Sequence, residues 1–285
     1  MQDKLRKALS KLDQQQLLEA IEDLCVIAKV EDSLIAKYLL STADKVKLIN
    51  KTFSKYKRRT KFHDYYQAIE FFQLLEQEVL QPIKQLTPDA PQECAGVLQT
   101  ILDSFVKLCE AKDDSSGCAM DFLYTTAQLW GLAWANVPER DMAKLVDLVY
   151  QYHTTHGYLH YPEFLEYFKR ALGAEGLVLL EDKLKDQPSS LLKVIELQND
   201  VDKYLAIGPS ISGFNNTNRL QIAQMFLNDF RTDDAIKLLL SMSTDSRDYQ
   251  PKQDLLIKAY SDNGDNQNCQ KIRIETFLET PLLNE

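Results

Sequence analysis

The first 81 residues contain neither glycine nor proline, since the first proline is Pro82 and the first glycine is Gly96. A chain that needs left-handed turns, β-bulges or a phosphate-binding loop normally places glycine at those positions. Helices joined by short polar turns do not need it. The sequence therefore predicts that this part of the chain is helical.

Apolar residues recur at helical spacing along nearly the whole chain, and no segment alternates in the way a strand does. A helical hairpin cannot bury its apolar side alone, so we expect neighbouring hairpins to stack. The sequence predicts an all-α fold, an α-α superhelix or helical-repeat solenoid of about 14 helices.

Several helix ends can be predicted from individual residues. Asp13 and Gln16 are spaced as a capping box at the start of one helix. A short helix is expected over Asp32–Leu40, and a long one over Asp64–Leu86. Pro82 should kink or restart the long helix, because proline lacks the backbone N–H that the helix interior requires.

Two segments near the C-terminus look like offset copies of one helical hairpin. The copies are Asn218–Met242 and Leu255–Phe277. Ala235 and Cys269 hold equivalent places 34 residues apart, which is the tetratricopeptide period. Phe230 stands where the second copy has Gly264, and the usual Trp and Tyr positions are not matched. We therefore predict a tetratricopeptide-like C-terminal part rather than a consensus repeat.

We divide the chain into three predicted segments on these patterns. They are an N-terminal helical segment (1–61) ending in a basic amphipathic helix, a central long-helix region (62–187) and the tetratricopeptide-like helical repeats (188–285).

Charge is distributed unevenly along the chain. The net charge is −9, yet Lys45–Lys61 contains eight basic residues and no acidic one. On a helix, one face of this segment is basic and the opposite face is apolar, with Val46, Ile49, Phe53 and Tyr56. The candidate partner-binding residues are Lys47, Lys51, Lys55, Arg58 and Arg59.

The basic segment has two interpretations. It can be a contact site for an acidic protein surface or for the phosphates of RNA or DNA. Alternatively, it is a solvated helix face whose charges offset the acidic remainder of the chain. No aromatic residues interleave its polar face to suggest base stacking.

Two weaker patterns point to metal chemistry. His156 and His160 have the i, i+4 spacing of a helical metal pair, with His153 nearby, but Gly157 lies between them and a turn is the better interpretation. The run 113–117 resembles the start of a calcium loop but has Tyr124 in place of the glutamate required at its twelfth position. We predict no metal, cofactor or catalytic residue, because no nucleotide-binding loop or nucleophile motif is present.

The remaining composition bears on location. The five cysteines are widely spaced with no C-x-x-C pair, which is typical of reduced thiols in the cytoplasm. No run of apolar residues is long enough to span a membrane, and no secretory signal is expected at the N-terminus.

From about Arg59 onward the chain resembles a family of uncharacterised bacterial helical proteins, known as a domain of unknown function. The resemblance is carried by Lys57–Arg59, Phe62–Ala68, the 113–117 turn, Leu145–Leu148, Gly157–Tyr161 running into Phe164–Leu165, and Asp200–Leu205 with the repeats after it. Some relatives carry a SWIM-type zinc finger upstream, but no Cys/His finger of that kind occurs here. The resemblance implies a helical fold and no established catalytic residues.

The sequence therefore favours a non-enzymatic interaction or scaffold protein of the bacterial cytoplasm, whose partner is another protein and not a membrane. A nucleic-acid-associated protein that uses 45–61 to bind phosphates is the alternative. An enzyme with a site near the three histidines is a third hypothesis.

Overall fold

The computed structural model describes residue 10 and residues 13–28, 40–58, 64–110, 112–211, 213–243 and 246–279. Within these ranges the regular elements are helices, with no strand, and inside each compact unit helices pack against one another. The predicted all-α, helical-repeat fold class is confirmed.

The chain divides into two compact units, Met1–Asn136 and Val137–Glu285. The three segments proposed from the sequence, 1–61, 62–187 and 188–285, stay predictions.

The first unit contains α1 (Gln14–Ala28), α2 (Thr42–Lys57), α3 (Tyr65–Leu75), α4 (Gln81–Leu86), α5 (Pro91–Asp103), α6 (Phe105–Cys109) and α7 (Cys118–Asn136). The capping box predicted at α1 is present: Asp13 N–H donates to Gln16 Oε1 (3.1 Å), and Gln16 N–H donates to Asp13 Oδ1 (2.8 Å). The helix predicted over Asp32–Leu40 lies outside the described residues except for Leu40.

The long helix predicted over Asp64–Leu86 is present from Tyr65 to Leu86, with a change from α- to π-helical hydrogen bonding before Pro82. The kink or restart expected at Pro82 stays a prediction. Asp64 caps α3 with a second capping box, and a π-helical segment, Glu76–Leu80, joins α3 to α4. Pro82 is the second residue after this π-helical segment. The consecutive residues Val79 and Leu80 at the end of the segment are both fully buried.

The core of the first unit forms where α5 packs against α7 and α2 packs against α5 and the π segment. Its largest fully buried side chains are Trp130, Phe53 and Phe105. This core fixes α2 in place through one side of the helix.

The second unit contains α8 (Met142–Thr155), α9 (Glu163–Glu166), α10 (Lys169–Lys183), α11 (Pro188–Gln198), α12 (Val201–Ile207), α13 (Asn216–Asn228), α14 (Thr232–Ser241), α15 (Ser246–Asp262) and α16 (Asn266–Glu279). Short 3₁₀ turns, Gly157–Leu159 and Gly208–Ser210, follow α8 and α12. Helix α10 is kinked at Gly173, whose φ of 58° lies in the left-handed region.

Three successive hairpins end the second unit: α11–α12, α13–α14 and α15–α16. Each turn places one residue at positive φ: Asn199 (58°), Phe230 (58°) and Gly264 (73°). The backbone N–H of the residue that follows each of these donates to the carbonyl five positions before the donor. The N···O distances are 3.2 Å for Asp200, 2.8 Å for Arg231 and 2.9 Å for Asp265. The first helix of each hairpin therefore ends in a Schellman motif.

The sequence indicated only the last two of these hairpins. Ala235 and Cys269 are buried at equivalent positions of α14 and α16, as predicted, and Tyr204 holds the equivalent buried position of α12. The first copy was missed because its period is 31 rather than 34 residues and its buried residue is large.

No helix within the described ranges is long and apolar enough to cross a membrane.

Candidate protein-contact surface

Helix α2 begins at a side-chain cap. Ser41 Oγ accepts a hydrogen bond from the Asp44 backbone N–H (3.2 Å), and its hydroxyl donates to the Asp44 carboxylate (2.6 Å). The bond from Ser41, followed by the Lys47 ammonium 3.0 Å away, holds the pKa of Asp44 below its usual value. Asp44 therefore stays ionised in the first turn, where a negative charge stabilises the helix dipole.

The apolar face of α2 is anchored in the core. Ile49, Phe53 and Tyr56 are 6%, 1% and 3% exposed, and the Tyr56 ring meets the Phe71 ring edge-on at 5.5 Å between centroids. The buried face predicted from the sequence is confirmed at these three residues, and Val46 is half-buried. Because tertiary contacts hold this side, the opposite side is presented on a fixed helix.

The opposite side carries Lys47, Lys51, Lys55 and Arg58, which we call the basic face. All four residues are exposed. Arg59, the fifth predicted contact residue, lies outside the described residues. Lys47 pairs with Asp44, whereas the side chains of Lys51, Lys55 and Arg58 make no hydrogen bond or ion pair with any other described residue. At 1.5 Å per residue, the four cations form a row about 16 Å long.

The charge of the segment contrasts with that of the rest of the chain. Because 45–61 carries +8 and the whole chain carries −9, the remaining residues carry −17. A compact positive row on an acidic protein attracts a negatively charged partner to one place.

The histidines are placed as structural groups. His153 is fully buried; its Nδ1 lies 3.3 Å from the Leu159 carbonyl, and its Nε2 lies 2.7 Å from Ser190 Oγ. Because the carbonyl can only accept, Nδ1 carries the proton and the Ser190 hydroxyl donates to Nε2. Burial lowers the pKa of His153 and keeps its ring neutral.

The two histidines with helical metal spacing do not form a pair. Gly157 starts a 3₁₀ turn between them. His160 donates from Nδ1 to the His153 carbonyl at 2.8 Å, while the His156 ring stacks on Tyr152. In the described part of the chain, no group of three or more His, Cys, Asp or Glu side chains is placed to hold a metal ion.

Of the two carboxylates in the 113–117 turn, Asp113 bonds within the turn and Asp114 caps the helix that follows. Asp113 Oδ1 accepts from the N–H and the hydroxyl of Ser115, and Asp114 Oδ1 accepts from the Ala119 N–H at 2.8 Å. Gly117 supplies the positive φ (78°) of this turn. These bonds account for the acidic run as the start of α7.

A polar cavity of about 250 Å³ lies within the second unit, between the start of α11, Tyr204 and Phe214. The Lys193 ammonium at its wall is held by Glu166 (3.1 Å) and Glu196 (2.9 Å). The positive charge is therefore neutralised by the protein itself. This arrangement ties α9 to α11, and with Glu163 also in the lining the cavity wall carries more negative than positive charge.

Sequence analysis missed an exposed aromatic residue at the second hairpin turn. Phe230 is 92% exposed and adopts the left-handed φ that Gly264 adopts in the next turn. The sequence aligned Phe230 with Gly264, but this alignment indicated only that the Asn218–Met242 copy departs from the repeat pattern. Knowledge of the turn geometry was needed to recognise it as an unusual surface residue.

The chain matches no protein-family model, no curated protein and no solved structure. The resemblance to a bacterial helical family, including relatives with a SWIM-type finger, therefore stays a prediction from sequence patterns.

Proposed function

We propose that this chain is a non-enzymatic interaction protein that binds an acidic surface of another protein through the basic face of α2. The supporting observation is the combination of exposed cations and a fixed helix. Lys51, Lys55 and Arg58 have no counter-charge among the described residues, while the opposite side of the same helix is held by Phe53 and Tyr56.

A fixed row of cations suits a folded acidic partner. Because α2 is already ordered in the free protein, binding does not require the helix to form, and less conformational entropy is lost. Residues four apart on a partner helix are about 6 Å apart along its axis, the same spacing as Lys47, Lys51 and Lys55. Carboxylates at that spacing can meet the cations one for one, which gives orientation as well as attraction.

The test is affinity capture from the native cell with charge-reversed bait. Lys51→Glu combined with Lys55→Glu should lose the prey that the wild-type chain retains. The matched control, Lys84→Glu combined with Lys107→Glu, makes the same charge change at exposed lysines of the first unit outside the basic face. Prey lost equally from both baits, or from neither, would contradict a contact at α2.

Nucleic acid is the second candidate, because the same cations can contact phosphates. Four phosphate contacts predict that log K falls with log salt at a slope of about −3.6 on duplex DNA. Lys51→Glu with Lys55→Glu should make that slope shallower, at about −1.8 or closer to zero, since two contacts are removed. Absence of binding to duplex DNA and single-stranded RNA at low salt would eliminate this candidate.

Other parts of the proposal rest on separate observations. The free thiols of Cys94, Cys109, Cys118 and Cys269 support a reducing compartment, which we take to be the bacterial cytoplasm. The three hairpins support a tetratricopeptide-like stack that offers a second contact surface. We assign no catalytic role to His153 and Ser190, because they are buried against each other.

A further inference from the structure

The hairpin turns of the second unit lie along one edge and are linked by side chains. Asn228 Nδ2 donates to Asn199 Oδ1 (3.4 Å), which joins the first and second turns. Asn263 Nδ2 donates to Asp233 Oδ1 (3.2 Å), which joins the second and third. We call this row, centred on Asn199, Phe230 and Gly264, the turn edge.

Phenylalanine is an unfavourable residue for the left-handed backbone conformation at position 230. The left-handed position at a helix end favours glycine or asparagine, which are the residues at the other two turns of this edge. A side chain with a Cβ is strained there, and a bulky one is an outlier. Phe230 is also 92% exposed, so packing in the folded chain does not compensate for the strain.

The surroundings of Phe230 are acidic. Asp229 and Asp233 are exposed, and Asp202 is 79% exposed. The next residue in the chain, Arg231, is already neutralised: Nη1 lies 2.8 Å from Asp202, Nε lies 3.0 Å from Asp234, and the guanidinium stacks on Phe226. The free charge of the turn edge next to Phe230 is therefore negative.

We propose that Phe230 is the aromatic anchor of a second protein-binding surface, whose partner is a protein presenting an apolar pocket with a basic rim. This inference rests on the proposed function as an interaction protein but uses a different surface. A protruding aromatic side chain that enters a pocket is the usual centre of a binding hot spot. The carboxylates beside Phe230 complement lysine or arginine at the rim of that pocket.

The proposal predicts opposite effects on stability and binding for one substitution. Phe230→Asn and Phe230→Gly relieve the strain and should raise Tm by about 2–8 °C. The same variants should weaken binding at the turn edge at least about 30-fold. The matched control is Leu240→Asn, because Leu240 is a 58% exposed apolar residue on α14 of the same hairpin. This variant should neither raise Tm nor weaken binding at the turn edge.

The binding probe is a library of small folded domains displayed on phage and selected on the full chain, because a pocket requires a folded partner. Selected domains should present apolar residues together with lysine or arginine at their binding surface, and Phe230→Asn should lose them while Leu240→Asn retains them. Asp229→Asn with Asp233→Asn should weaken binding of the same domains and flatten its salt dependence. The Lys51→Glu and Lys55→Glu chain should bind them unchanged, which separates this surface from the basic face.

Three results would overturn the proposal. The first is that no selected domain depends on Phe230 for binding. The second is a Tm of Phe230→Asn no higher than wild type. The third is a concentration-dependent dimer in sedimentation that Phe230→Asn abolishes, because the surface would then bind a second copy of this chain. Failure of these tests with an intact charge-reversal effect at α2 would leave the proposed function standing.

Discussion

Replacing Ser190 with alanine removes the hydroxyl that donates to His153 Nε2 at 2.7 Å. The ring cannot compensate by moving its proton, because Nδ1–H is needed for the Leu159 carbonyl. One buried acceptor is therefore left without a donor. Such an orphan costs about 1–3 kcal/mol, and the small change in side-chain volume adds little.

Ser189→Ala is the matched control for this prediction. Ser189 lies in the same first turn of α11 but is exposed, so its loss should change stability by less than about 0.5 kcal/mol. Urea unfolding followed by far-UV circular dichroism, with hydrogen exchange of the α8 and α11 amides, measures both variants. Equal stability of the two variants would refute the reasoning that His153 depends on Ser190.

The same pair predicts a pH dependence. Burial lowers the pKa of His153 in the folded state below its usual 6.5, so the unfolded chain binds more protons between the two values. Stability should be full above about pH 6.5 and fall as the pH drops toward the folded-state pKa. His153→Gln should flatten this fall between pH 7 and 5. An unchanged pH profile in that variant would contradict a buried neutral histidine.

Three further substitutions, at Phe53, Asp64 and Gly176, test the packing and capping described above by the shift they cause in the urea midpoint, with Lys51→Ala as a control. Phe53→Ala should destabilise the first unit by about 3–5 kcal/mol because the side chain is 1% exposed, whereas Lys51→Ala on the exposed face should stay within about 0.5 kcal/mol. Asp64→Ala removes the capping box of α3 and should cost about 0.5–2 kcal/mol. Gly176→Ala should cost about 1–3 kcal/mol despite its better helix propensity, because a Cβ there would lie 2.6 Å from Met142 Sδ and 2.9 Å from Leu172 Cβ. A midpoint equal to wild type in any of the three would contradict the contact assigned to it.

The parts of the structure that depend on local sequence could be predicted. The Asp13–Gln16 capping box, the long helix over 64–86 and the buried side of α2 all follow from residues within one or two helical turns. Each is set by hydrogen-bonding groups or apolar spacing that the chain carries at that point.

The parts that depend on distant contacts could not be predicted. Ser190 meets His153 across 37 positions, and nothing near either residue signals the other. The first of the three hairpins was hidden because Tyr204 replaces the small buried residue found at Ala235 and Cys269. For the candidate surface, the sequence indicated the basic face, whereas Phe230 needed its backbone angle and exposure to be noticed.

The links along the turn edge have a mechanical consequence. Stacked hairpins flex by small rotations between neighbours, and the rotations add along the stack. Side-chain hydrogen bonds span those joints: Asn228 to Asn199 and Arg231 to Asp202 at the first, and Asn263 to Asp233 at the second. Bending that opens this edge has to lengthen these hydrogen bonds, so they resist rotation at both joints.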